Sequence, residues 1–177
     1  MAIFKAGDEN DLDYVAIRDG GVLVYRNRTY LEADLLWLRD KKYRIHRFDC
    51  ATWTSEEAMH ASMRSALSFP DYYGHNFDAL NEVIAEIDVP ENGGVALVFL
   101  TFDAYANSPG TSLGGTGVDQ AKIVLDIMSR ASHSFLLEGK RFLTIIQSND
   151  RTLHYEHLGG RAVLWNWREW QHKDRGL

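Results

Sequence analysis

Leu67-Ser-Phe-Pro-Asp-Tyr-Tyr-Gly-His-Asn-Phe-Asp-Ala-Leu-Asn-Glu82 sets a Pro/Tyr/Gly loop directly against the start of a helix. Asn76 is of the residue type that caps helix N-termini, because its side-chain oxygen accepts an otherwise orphaned backbone N–H. Phe77, Leu80, Ile84 and Ile87 then recur at intervals of three and four, which predicts a helix to about Ile87 with one apolar face. Pro90 and Gly93-Gly94 stop it. Asp78, Glu82 and Glu86 fall four apart, so their carboxylates stack along the exposed side. Each like-charge pair costs a helix ~0.2–0.5 kcal/mol. Asp78 recovers part of this from the helix N-terminus and the other two do not. A stripe that works against its own helix is a candidate binding surface.

Outward from this stretch, strand and helix signals alternate. Thr54 with Glu57 forms a capping box for a helix to about Leu67, carrying Ala58, Met59, Met63 and Leu67, and Pro70 prevents its continuation. Tyr43 to Phe48 reads as a short strand. Val95 to Leu100 is a continuous apolar run, the pattern of a strand buried on both faces. Asn107 to Gly117 is a Gly/Ser-rich loop, Val118 to about Ala131 a helix, and Phe142 to Gln147 a further buried strand. Such alternation predicts an α/β fold with a mainly parallel sheet. At the N-terminal side, Tyr14 to Arg18, Asp19-Gly20-Gly21 and Val22 to Tyr25 read as a hairpin. Thr29 with Glu32 caps a helix from Tyr30 to about Asp40 that buries Leu31, Leu35, Leu36 and Leu38. Ala162 to Trp167 reads as a last strand. The expected organisation is one globular unit: a hairpin-helix extension over 1–42, a core over 43–148 and a C-terminal extension over 149–177.

The 177 residues, 45% hydrophobic and 25% charged, have an ordinary globular composition that excludes wholesale disorder. The single cysteine, Cys50, excludes an intramolecular disulfide scaffold. No apolar run approaches the ~18 residues of a membrane span. The acidic start (Asp8, Glu9, Asp11, Asp13) is unlike a signal peptide, so a cytoplasmic location is expected. Net charge is −6, which argues against a nucleic-acid binder. Between Asp49 and Asn92 nine acids face Arg64 alone, giving that segment −8 and the remainder +2. A field of one sign concentrated in one region speeds encounter with a basic partner.

Pro70-Asp-Tyr-Tyr-Gly-His-Asn-Phe-Asp-Ala-Leu80 resembles the Pro-(acid)-Tyr-Tyr-Gly-x-Asn-(apolar)-Asp-Ala-Leu signature of the barstar family of intracellular ribonuclease inhibitors, and the order of elements agrees from about Tyr43 to Ser148. The resemblance implies a three-stranded parallel sheet packed with helices, no enzymatic activity and no cofactor. It implies a partner that is a small basic ribonuclease or nuclease toxin, as for a bacterial antitoxin or immunity protein. The active site of that partner would be occluded by this loop and helix, whose acids stand in for RNA phosphates. Carried over, the contact surface falls on Tyr72, Gly74, Asn76, Asp78 and Glu82, with His75, Asn81 and Glu86 beside them. Three positions depart from the family pattern: Glu82 where the family has an aspartate, Asn81 for a tryptophan, and Arg130 for a glutamate on the later helix.

Two rival readings use the same residues. His75, Asp78 and Glu82 are ligand types on adjoining turns and would serve a metal-dependent hydrolase, with His154 and His157 as further ligands if the fold brought them close. The acidic helix would equally serve a non-inhibitory adaptor. Gly110 to Gly117 lacks the Lys-Ser/Thr of a phosphate-binding loop, and Cys50 has no activating neighbour in sequence. Trp165, Trp167 and Trp170 are expected to cover the apolar side of the N-terminal hairpin.

Overall fold

The computed structural model describes residues 3–108, 118–166, 168 and 169. A 3-10 turn at Asp8–Asn10 leads to α1 (Leu12–Arg18), β1 (Val22–Tyr25), α2 (Arg28–Asp40) and β2 (Tyr43–Asp49). Next come α3 (Glu56–Leu67), α4 (Phe77–Ile84), β3 (Gly94–Leu100), α5 (Phe102–Ala106), α6 (Val118–Leu137) and β4 (Phe142–Gln147). Three short strands follow: β5 (His157–Leu158), β6 (Arg161–Ala162) and β7 (Leu164–Trp165). The main sheet has five strands in the order β2-β3-β4-β1-β7, all parallel, while β5 and β6 form a separate antiparallel pair.

The α/β architecture with a parallel sheet is as expected, and β2, β3 and β4, the three strands expected over 43–148, are contiguous within it. The flanking segments widen that sheet. Val22 to Tyr25 pairs with Thr144 to Gln147 on one side, and Leu23 and Val24 pair with Leu164 and Trp165 on the other. Alternation of side chains along each strand divides the core in two. Leu23, Tyr25, Ala96, Val98, Leu143 and Ile145 face α1 and α2, meeting Ala16, Ile17, Leu31, Leu35 and Leu38. Val22, Val24, Leu97, Phe99, Phe142 and Ile146 face the opposite layer of α3, α4, α5 and α6. Each fully buried Leu or Phe there is worth ~1.5–3 kcal/mol of transfer free energy.

Several expectations are corrected. No N-terminal hairpin forms: Tyr14 to Arg18 lies in α1, and β1 pairs in parallel with distant strands. Gly20 and Gly21 (φ +111° and +76°) terminate that helix, with the Gly21 N–H donating to the Ala16 carbonyl at 2.7 Å. Both a type I′ hairpin turn and a helix C-cap need positive φ, so the same Asp-Gly-Gly served either. In α2 the cap is Asn27, whose side chain accepts from the Thr29 N–H at 2.8 Å, and Leu36 is 58% exposed rather than buried. For α3 the cap is Ser55, one residue beyond Thr54. α4 ends at Ile84, short of Ile87, and α6 runs on to Leu137. The last strand is broken into β6 and β7. Residues 109–117, Trp167 and Trp170 lie outside the described residues, while Trp165 packs beneath the Arg26 guanidinium at 4.3 Å. Among the described residues no helix is long and apolar enough to cross a membrane.

Candidate functional site

The loop between α3 and α4 is fixed at both ends by backbone geometry. Ser68 takes a left-handed conformation (φ +56°) that ends α3, and the Phe69 N–H donates to the Arg64 carbonyl at 3.1 Å. The Arg64 guanidinium also holds Asp71 at 2.7 Å, and the Tyr73 N–H closes a turn on the Pro70 carbonyl at 3.1 Å. Successive tyrosines therefore point opposite ways. Tyr73 is buried against Phe69, ring centroids 5.0 Å apart, whereas Tyr72 is 75% exposed.

Beneath the loop lies a polar stack that the motif alone does not reveal. His60 of α3 is fully buried, with its Nδ1 hydrogen-bonded to the Tyr73 hydroxyl and its Nε2 3.5 Å from the Glu56 carboxylate. The second Glu56 oxygen accepts from Gln120 Nε2 of α6 at 2.9 Å, so the loop before α4 is tied through α3 to α6. His75 adopts a left-handed φ of +50°, with its ring 5.1 Å from Tyr73 and 6.4 Å from His60. Burial, then the neighbouring His75, lowers the His60 pKa to about 4, so that imidazole is neutral at neutral pH. The signal for this residue was present in sequence: a histidine beside Met59 and Met63 on the apolar side, four residues after Glu56.

Asn76 caps α4 as expected, its Oδ1 accepting the Ala79 N–H at 2.8 Å. Its Nδ2 donates to the Gly74 carbonyl at 3.3 Å, so one side chain holds both loop and helix. Leu80, Val83 and Ile84 face the core, which turns Asp78, Asn81 and Glu82 to solvent. Tyr72, Gly74 and Asn76 are likewise exposed and His75 is half-buried. Glu86 is exposed two residues beyond the end of α4. It lies in the turn after α4, where its carboxylate accepts the Tyr72 hydroxyl at 3.3 Å and, as the nearest negative charge, raises the phenol pKa.

Among the described residues no three His, Cys, Asp or Glu side chains converge to hold a metal. His75, Asp78 and Glu82 are not such a group, and His154 and His157 are exposed residues beyond β4. Cys50 is buried, with its thiol pKa raised by burial first and then by Asp49 and Asp103. Arg130 is exposed on α6.

Residues 43–147, from the start of β2 to the end of β4, match the family model described as Barstar (barnase inhibitor). The chain belongs to the barstar family. The matched span holds every residue of the exposed loop-and-helix surface, together with the buried His60 that supports it. β1 and β7 lie outside the span, so this barstar-family sheet is wider than its matched core. A search of curated proteins returns no match. Among solved structures, the chain is similar to one chain in the structure of Drosophila ORC bound to AT-rich DNA and Cdc6. That likeness has a TM-score of 0.51 at 15% identity and covers 86% of this chain and 49% of that one. This chain thus spans about half the length of that relative, and at such identity the likeness concerns the fold alone.

Proposed function

We propose that this protein is an inhibitor that binds a small basic ribonuclease, or a ribonuclease-type toxin, and covers its active site with α4 and the loop before it. The observation that carries this reading is the barstar-family match over 43–147 combined with the exposure of Tyr72, Gly74, Asn76, Asp78 and Glu82 on one continuous loop-helix surface. The nine acids of residues 49–92 give that region the sign needed to meet groups that bind phosphate. The loop is also preorganised: Tyr73, His60 and Asn76 hold it before any partner arrives, which lowers the ordering cost of association.

Glu82, Asn81 and Arg130 change acid length, aromatic packing and charge sign relative to the family pattern, so barnase itself is expected to be bound more weakly than the natural partner. The barnase–barstar pair is a general reference case for such charge coupling, and its magnitudes belong to that pair. The test is inhibition of a panel of purified small basic ribonucleases of the barnase type, with barnase included, by the full chain in a metal-chelating buffer. Stoichiometric inhibition of at least one supports the reading. RNA cleavage by this chain, or binding to a nuclease that leaves its active site open, would replace it with the hydrolase or the adaptor.

A further inference from the structure

A cleft of about 470 Å³ opens behind Tyr72. Leu67, Pro70 and Ile87 line it, together with Arg44 and His46 of the outer strand of the sheet, β2. The charged groups around it are mostly committed. Arg44 is bound to Asp88, by a 2.8 Å contact to the carboxylate and a 3.1 Å contact to the carbonyl, and Asp71 is held by Arg64. His46 is engaged with the Ala66 backbone, and burial followed by Arg44 lowers its pKa, which keeps it from adding a second cation. Glu86 is different. It is exposed at the rim, and its carboxylate is engaged by the Tyr72 hydroxyl at 3.3 Å, leaving acceptor capacity over.

An aliphatic trough ending at a tyrosine ring and an exposed carboxylate has the chemistry of a receptor for one long cationic side chain. The methylene stem lies on Leu67, Pro70 and Ile87, and the head meets the ring face and the acid. A planar guanidinium satisfies both, since it stacks on an aromatic ring and pairs with a carboxylate through two parallel N–H donors, which an ammonium cannot. We infer that this cleft receives an arginine side chain of the basic protein partner, with Glu86 and Tyr72 as its recognition pair. The inference rests on the inhibitor reading for the identity of the partner. It joins Tyr72, one of the positions carried by the family signature, to Glu86 beside them in one recognition pair, and adds the cleft behind Tyr72 to that surface.

Two measurements separate the cleft from the function. In the first, arginine amide and the neutral isostere citrulline amide are titrated into the full-length protein and followed by backbone amide NMR. Saturable shifts confined to residues 66–72 and 86–88, seen with arginine amide and weakened roughly ten-fold by Glu86→Gln, are expected. Absence of saturable shifts, equal binding of citrulline amide, or indifference to Glu86→Gln overturns the inference. In the second, Glu86→Gln and the cleft-filling Ala66→Trp, both at exposed positions, are compared on a nuclease that the protein inhibits, with melting temperature as the folding control. Weakening of roughly ten-fold or more by each is expected. Unchanged inhibition by both variants, with Glu82→Lys inactive, overturns the cleft and leaves the inhibitor reading standing. Arginine-amide binding with no nuclease inhibited supports the cleft and removes that reading instead.

Discussion

At His60 the chain buries an imidazole between the Tyr73 hydroxyl and the Glu56 carboxylate, and burial is the main reason its pKa drops from 6.5 to about 4. In the unfolded chain the same group binds its proton near 6.5, so as pH falls the unfolded state is protonated first. The stability contributed by neutral His60 is complete above about pH 6.5, declines as pH drops toward about 4, and has no further slope below that. Urea unfolding of the native protein and of His60→Gln across this window should show a steeper loss for the native chain, the difference excluding carboxylates common to both. Glu82 calls for the opposite kind of reasoning, because it is exposed and forms no ion pair or side-chain hydrogen bond among the described residues. With Glu86 off the helix, its only like-charged neighbour one turn away on α4 is Asp78. Glu82→Lys turns that repulsion into attraction, a gain of ~0.2–0.5 kcal/mol, so the melting temperature should hold or rise slightly. Inhibition should fall by ~2–5 kcal/mol, since a lysine would meet the partner's cations. A sharp drop in melting temperature would make Glu82 structural; retained inhibition would move the contact elsewhere.

At the scale of the element, α4 depends on Asn76 for two separable things. Asn76→Ala should cost ~1 kcal/mol of stability through loss of the cap. Asn76→Asp keeps an acceptor for the Ala79 N–H but removes the donor to Gly74, so it should restore stability while leaving inhibition weakened. Equal affinity for the native protein and Asn76→Asp would show that the Gly74 bond does not shape the loop. This helix was legible because its cap and its three-four apolar spacing are local, as were the buried runs that became β3 and β4. The misreadings share another physical origin. Tyr-Val-Ala-Ile-Arg has β-type residues, yet Ala16 and Ile17 are buried in the layer of α1 and α2, and tertiary packing overrides propensity. The end of α4 was placed at about Ile87 by periodicity alone, which carries no information on where the last turn unwinds. The support under the loop, from His60 to Gln120, spans two helices and could be read only in part, as the Glu56–His60 spacing.

For the whole molecule, the concentration of negative charge in residues 49–92 predicts an association rate that falls steeply with added salt, because steering acts through a field with a screening length of ~10 Å at 0.1 M. Dissociation should change far less, and stopped-flow mixing with the nuclease at low and high salt distinguishes the two. A flat association rate would remove steering. The family-matched segment alone should not behave as an independent domain. Without β1 and α2, the side of β4 that hydrogen-bonds Val22 to Tyr25 becomes an edge, and Ala96, Val98, Leu143 and Ile145 lose their cover. A chain limited to 43–148 is therefore expected to be aggregated or non-cooperative in unfolding, as exposed apolar edge strands generally are. Size-exclusion chromatography and thermal scans would show it, and a soluble, cooperatively melting fragment would contradict it.

The position of β1 also bears on how the protein is born. A ribosome delivers Val22 to Tyr25 well before the strands that flank it, which begin at Thr144 and at Leu164. The loop before α4, and α4 itself, leave the exit tunnel long before the sheet can shut around its second-from-edge strand. Pairings this distant in the chain are slow to form, and apolar segments stay exposed while they wait. The nascent chain therefore carries its exposed acids on an unfinished body. It should lean on chaperones until Leu164 and Trp165 have emerged, and under the proposed inhibitor function, protection against a co-produced nuclease should lag translation by the time the sheet takes to close.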